Sequence, residues 1–153
     1  MGIAAHIVRL RAVVGHELLL LPSVSVLPID EAGRILLVRE AGLDHGWGIL
    51  GGAVEPGESP AGAAVREARE EISSDIELIR LLDVLGGPDY EVTYPNGDRA
   101  AYVTAVYEAR IVAGSPTPGD GELSEVGWFT RDELPAVPLT RFALSVLRAI
   151  GRL

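Results

Sequence analysis

Two spacings of apolar residues alternate along the chain. Val24–Ile29 and Arg34–Val38 are short apolar runs on either side of Asp30-Glu31-Ala32-Gly33, a pattern that predicts a β-hairpin. A second hairpin is predicted where Glu91-Val92-Thr93-Tyr94 meets Ala100–Ile111 across Pro95-Asn96-Gly97-Asp98, because Asn-Gly is the strongest short turn signal. Ile76–Leu85 reads as a further strand and Val126–Phe129 as a short one.

The other spacing is helical. Ser59 can cap a helix and Pro60 is tolerated in its first turn, so a helix is expected from there to about Ile72. On it Ala61, Val65, Ala68 and Ile72 share one stripe, read as the core-facing face. A second helix is expected from about Thr140, carrying Phe142, Leu144, Val146, Leu147 and Ile150. Thr130-Arg131-Asp132-Glu133 has the form of a capping box and predicts a short helical turn. Strands in the middle with helices outside predict an α/β sandwich built on a mixed sheet.

Length adds that one domain accounts for all 153 residues, with a core over about 20–150. The Gly- and Pro-rich stretch Gly114–Gly121 is read as one long surface loop, not a linker. The chain has no cysteine, which excludes disulfides, thiolate zinc sites and cysteine nucleophiles. Its apolar run Leu18–Leu21 stops at Pro22, far short of a membrane span of roughly 20 residues. Residues 1–20 lack the pattern of a signal peptide, and His6 stands where a myristoylation signal wants Ser or Thr. A soluble cytoplasmic protein with no membrane partner is expected.

The formal net charge is −9. That argues against a nucleic-acid partner, which needs a basic footprint. It also repels any phosphorylated substrate, unless a divalent cation bridges carboxylate to phosphate.

Glu67, Glu70 and Glu71 share a second stripe of the first helix. Each like-charge pair there costs about 0.2–0.5 kcal/mol, and the helix C-terminus disfavours negative charge as well. A solvated charged face is the plain reading; a hard cation with oxygen ligands is the alternative. The residues before the helix weigh on the choice. Trp47-Gly48-Ile49-Leu50-Gly51-Gly52 allows close backbone approach, and Gly57 allows a tight turn into the helix.

Read together, Gly52, Glu58, Arg66-Glu67 and Glu70-Glu71 resemble the Nudix box, a loop–helix–loop over Gly52–Ser74, with every charged position present. Ser73 replaces the family's glycine, Ser74 an aliphatic residue and Leu50 a frequent proline; these positions shape loops. Similarity extends over roughly 20–150, including Val126-Gly127-Trp128-Phe129 before Asp132-Glu133-Leu134-Pro135.

The resemblance implies an α/β/α sandwich and a Mg²⁺-dependent hydrolase, with Mn²⁺ as a substitute. It implies Glu67, Glu70 and Glu71 as metal ligands, the Gly52 carbonyl as a further one, and an Arg66–Glu58 pair that holds the loop to the helix. The catalytic base of such enzymes lies in the box helix, here Glu70 or Glu71, or in a loop before the late tryptophan. Glu122 and Glu125 occupy that loop, and Glu122 matches the position of an extra ligand better; a solvated acid is the competing reading. Trp47, Tyr90, Tyr94 and Tyr102 have rings able to stack on a base, and His45 could touch a phosphate, although packing or solvation accounts for them more simply.

The substrate implied is a small nucleoside diphosphate derivative, with ADP-ribose favoured. Alternatives are a nucleoside triphosphate, cut to a monophosphate and pyrophosphate, and a sensing module that does not cut. The resemblance leaves room for a homodimer.

Overall fold

The computed structural model describes residues 3–42, 46–119 and 121–153; His45 lies outside them. In chain order the elements are α1 (Ala5–Val14), β1 (Leu19–Pro28), β2 (Ile35–Glu40), β3 (Leu50–Ala53), α2 (Pro60–Ile72), β4 (Asp75–Leu85), β5 (Glu91–Thr93), β6 (Arg99–Ala113), β7 (Leu123–Phe129) and α3 (Arg141–Ala149). The main sheet runs β3-β1-β6-β4, with β5 also on β6, and β2 and β7 form a second, two-stranded sheet. β1 and β6 are parallel while the other pairs are antiparallel, so the main sheet is mixed as expected.

The helices lie on opposite sides. Ala63, Ala64, Ala68 and Ile72 of α2 pack with Val24, Val26, Leu36, Val38 and Leu50. Val146 and Leu147 of α3 pack with Leu27, Ile35, Leu37, Tyr90 and Val106. Strands β1 and β2 thus send alternate side chains into two cores, the layering of an α/β/α sandwich.

The Asn-Gly hairpin forms as read: Tyr94 N–H donates to the Asp98 carbonyl at 2.8 Å, and Gly97 takes φ +92°. Thr130 and Glu133 cap one another reciprocally, and the Thr140 hydroxyl caps α3 by accepting from Ala143 N–H. The first hairpin is corrected. The chain does turn at Asp30–Gly33, but Ile29 and Ile35 make only an isolated bridge, and β1 and β2 then part into different sheets. Both strands are buried on both faces, so their apolar pattern does not say which neighbour each one takes.

Strand β1 also starts earlier than read and passes straight through Pro22. Helix α1 was not anticipated. It has no side-chain cap and no buried residue, so neither helix signal is present in its sequence. Arg11 holds its end down by donating to the carbonyls of Gly15, Glu17 and Arg99. The α2 stripe is rotated from the expected one: Ala61 is exposed, while Glu67 is buried with Ala63 and Ala64.

Candidate active site

Strand β3 sets the site's floor. Gly51 and Gly52 pair with Ser25 and Val24 of β1. A β-carbon on Gly51 would fall 2.0 Å from the Val24 carbonyl oxygen, so only glycine lets the two strands approach this closely. Beyond β3 the chain turns at Gly57, φ +90°, and Ser59 starts α2 by accepting from Gly62 N–H at 3.0 Å.

Arg66 ties loop to helix. Its guanidinium donates to both oxygens of Glu58, at 2.7 and 3.0 Å, and to the Ala53 carbonyl at 3.1 Å. It also reaches Glu67 at 3.0 Å and Glu70 at 3.1 Å. Glu58 in turn accepts from its own loop, at Glu55 N–H, 2.8 Å. The Arg66 hydrogen bonds hold the Glu58 carboxyl below its ordinary pKa, and Glu58 raises that of Arg66. Bidentate charged contacts of this kind fix orientation as well as adding energy.

Glu67 is 3% exposed, and its carboxylate lies against Gly52. Burial pushes its pKa up to about 7; Arg66 opposes the rise, and the nearby charges of Glu70 and Glu122 add to it. Glu71 accepts from Gly51 N–H at 3.2 Å and lines a cleft of about 290 Å³ with Glu40, Ala41, Gly121, Glu122 and Leu123. The expected acids therefore collect at one end of α2. Among the described residues no three of them meet at a single point: Glu67 and Glu70 turn to the Arg66 guanidinium, and Glu71 faces β3 and the cleft.

Glu125 points elsewhere, 3.6 Å from Arg39 on the neighbouring strand. Tyr90 is buried against Phe142, and Trp47 meets Phe129 edge-on at 4.8 Å, so both rings serve packing. The Tyr94 and Tyr102 hydroxyls share a 2.5 Å hydrogen bond. Sequence reasoning missed Glu40. Its signal was the period of two in β2, which puts Glu40 on the same face as Leu36 and Val38.

The model of the NUDIX domain family matches residues 19–150. The chain belongs to the NUDIX hydrolase family. It is 32% identical over 146 residues to the NAD-capped RNA hydrolase NudC of Stutzerimonas stutzeri, matching 91% of this chain and 49% of that one. A NudC of Mycobacterium tuberculosis is 30% identical, with 84% of this chain matched and 39% of the relative. The chain thus spans half or less of the length of these curated relatives. Among solved structures, a MutT NUDIX hydrolase from Burkholderia pseudomallei is 30% identical with a TM-score of 0.66, covering 84% of this chain and 96% of that one. An ADP-ribose pyrophosphatase from Streptococcus suis is 25% identical with a TM-score of 0.62, covering 87% and 92%.

In this NUDIX hydrolase the serine in place of the box glycine keeps the geometry. Ser73 stands left-handed at φ +53°, and the helix ends at Ile72. Among the described residues no helix is long and apolar enough to cross a membrane.

Proposed function

We propose that this NUDIX hydrolase cleaves the diphosphate linkage of a nucleoside diphosphate derivative, with Mg²⁺ as its metal and Mn²⁺ as a substitute. The observation that carries the reading is the buried carboxylate of Glu67, packed on Gly52 and repelled by Glu70 and Glu122. A buried acid with two further acids near enough to raise its charging cost, in a chain already at −9, suits a hard divalent cation with oxygen donors. Every side-chain donor here is a carboxylate, so the set fits Mg²⁺ better than a softer metal.

A bound divalent cation neutralises phosphate charge and lowers the pKa of a water. The chain's own parts follow from where they stand. Glu67, Glu70 and Glu71 supply oxygen ligands, with the Gly52 carbonyl as a further donor. Arg66 and Glu58 hold the loop of β3 against α2, which orients those ligands. Glu122 lines the cleft together with Glu71 and accepts the proton from the attacking water. The water oxygen bonds to phosphorus as the bridging P–O bond breaks, giving two phosphate products.

The pyrophosphatase likeness supports an ADP-ribose-like substrate. A second reading comes from the relatives named as NAD-capped RNA hydrolases: the diphosphate of a NAD cap. The net charge weighs against extended contact with the RNA itself.

A panel of ADP-ribose, NAD, nucleoside triphosphates and a NAD-capped oligonucleotide tests this, read by product identity with Mg²⁺ and with excess chelator. AMP plus ribose phosphate is expected from ADP-ribose. A monophosphate plus pyrophosphate from triphosphates alone moves the substrate class to the triphosphate reading. Full turnover in chelator sinks the metal assignment.

A further inference from the structure

The acids of the site sit on the last turn of α2, where carbonyl groups normally lack partners and the helix dipole adds negative potential. In this protein the partners come from far along the chain. Gly119 N–H donates to the Glu71 carbonyl at 2.8 Å, and Thr117 N–H donates to that of Ile72 at 3.1 Å. The approach is close: a β-carbon on Gly119 would stand 2.1 Å from the Glu70 backbone oxygen, which cannot swing aside as a side chain can.

Three residues beyond Gly119 comes Glu122, and its backbone is pinned independently. Ala41 N–H donates to the Glu122 carbonyl at 2.7 Å, and Leu123 begins the pairing of β7 with β2. Glu122 is thus held between two fixed points, one on the helix that carries Glu71 and one on the strand that carries Glu40. The glycine at 119 meets a steric demand: a β-carbon there would collide with the backbone of α2.

We propose that the Thr117–Gly119 segment is a backbone clamp on the end of α2, and that Gly119 is a positioning residue that sets Glu122 in the cleft it lines together with Glu71. The proposal rests on the metal-site reading above. Its consequence is coupling. Loosening the clamp weakens cation binding and turnover through Glu122, and so adds nothing once the Glu122 carboxylate is gone.

The test uses the full chain with Mn²⁺ as the probe, its affinity read by electron paramagnetic resonance, beside amide exchange. In the parent, the Thr117 and Gly119 amides should be protected. Gly119→Ala should lose that protection and bind Mn²⁺ at least about 10-fold more weakly, the scale for outer-shell partners of a metal site. Glu122→Gln should weaken binding similarly, and the double variant should match Glu122→Gln alone. Gly33→Ala, at a positive φ but in open space, should leave Mn²⁺ affinity unchanged. Should Gly119→Ala not fold, Thr117→Pro removes one clamp donor and carries the same expectation.

Additive losses in the double variant, or parent affinity in a folded Gly119→Ala, overturn the clamp. So does an unprotected Gly119 amide in the parent. If the parent binds no Mn²⁺, the metal-site reading fails and takes with it the coupling through Glu122, even where the amides are protected.

Discussion

A β-carbon on Gly52 would come within 2.3 Å of Oε1 of Glu67. Glycine on β3 is therefore what lets a carboxylate from α2 lie buried against the strand. The obstructing atoms belong to a side chain, so Gly52→Ala should fold with little loss of stability. It must, however, displace the Glu67 carboxylate from its place beside Arg66. We expect turnover to fall at least about 10-fold with Mn²⁺ affinity weakened in step. Parent kinetics in this variant would remove Gly52 and Glu67 from the metal-site reading.

Arg66 joins Glu58, Glu67 and Glu70 and is itself mostly buried. Arg66→Ala strips the partner from a buried carboxylate. A hydrogen bond to a charged group is worth about 1.5–3 kcal/mol, so urea unfolding without metal should show a loss of about that size or more. Mg²⁺ should restore part of it, because a cation bound to the native state substitutes for the lost positive charge. Arg66→Lys should recover less than half, since an ammonium cannot reach both oxygens of Glu58 and the Ala53 carbonyl together.

How much of this was legible depends on where the information lay. The helix α2 could be read because Ser59 and Pro60 mark its start, and the box acids because their spacing is fixed along one element. The burial of Glu67 could not be read from α2 alone, since it depends on a missing side chain at Gly52 on another strand. Helix α1 left no trace because tertiary contacts of Arg11, not a cap or an apolar stripe, hold it. The β1–β2 hairpin was misread because turn chemistry was sound while the choice of sheet partner is made by residues such as Val103 and Val126, far away in sequence. The clamp on α2 was invisible for the same reason: its hydrogen bonds are backbone to backbone.

Ser73 holds φ +53°, a conformation that costs a non-glycine residue about 1–2 kcal/mol. Ser73→Gly relieves that cost and gives back part of it as greater freedom in the unfolded chain. A net gain of about 0.5–1 kcal/mol is expected, which for a chain of this size is roughly 1–4 °C in Tm. A fall in Tm would mean that the serine hydroxyl makes a contribution larger than its backbone strain.

Asp98 links α1 to the β5–β6 hairpin: it meets His16 at 2.7 Å and lies 3.7 Å from Arg11. The His16 hydrogen bond, with help from Asn96 and Arg11, holds its carboxyl below the ordinary value of 3.8. A lowered folded-state pKa means the link is present above the ordinary value and is lost as pH falls through the lowered one. Amide resonances of α1 should therefore shift together as pH falls below 3.8, before the sheet signals change. In Asp98→Asn they should already be shifted at neutral pH. Unmoved α1 resonances in that variant would show that Arg11 alone secures the helix.

The last expectation separates two acids three residues apart. Glu122 lines the same cleft as Glu71, and its charge is felt by Glu67. Glu125 lies on β7 opposite Arg39 and pairs with it. Glu122 precedes the strand, and the register of β7 on β2 shifts between Leu123 and Glu125, so the two acids are placed separately. If Glu122 takes the proton from the attacking water, Glu122→Gln should keep KM within a few fold and lower kcat by about 10²–10⁴, the usual contribution of a general base. Glu125→Gln loses only a partly exposed ion pair, worth about 0–1 kcal/mol of stability, and should turn over at nearly the parent rate. An inactive Glu125→Gln beside an unaffected Glu122→Gln would reverse the assignment. Full activity in both variants would place the base on α2, at Glu70 or Glu71.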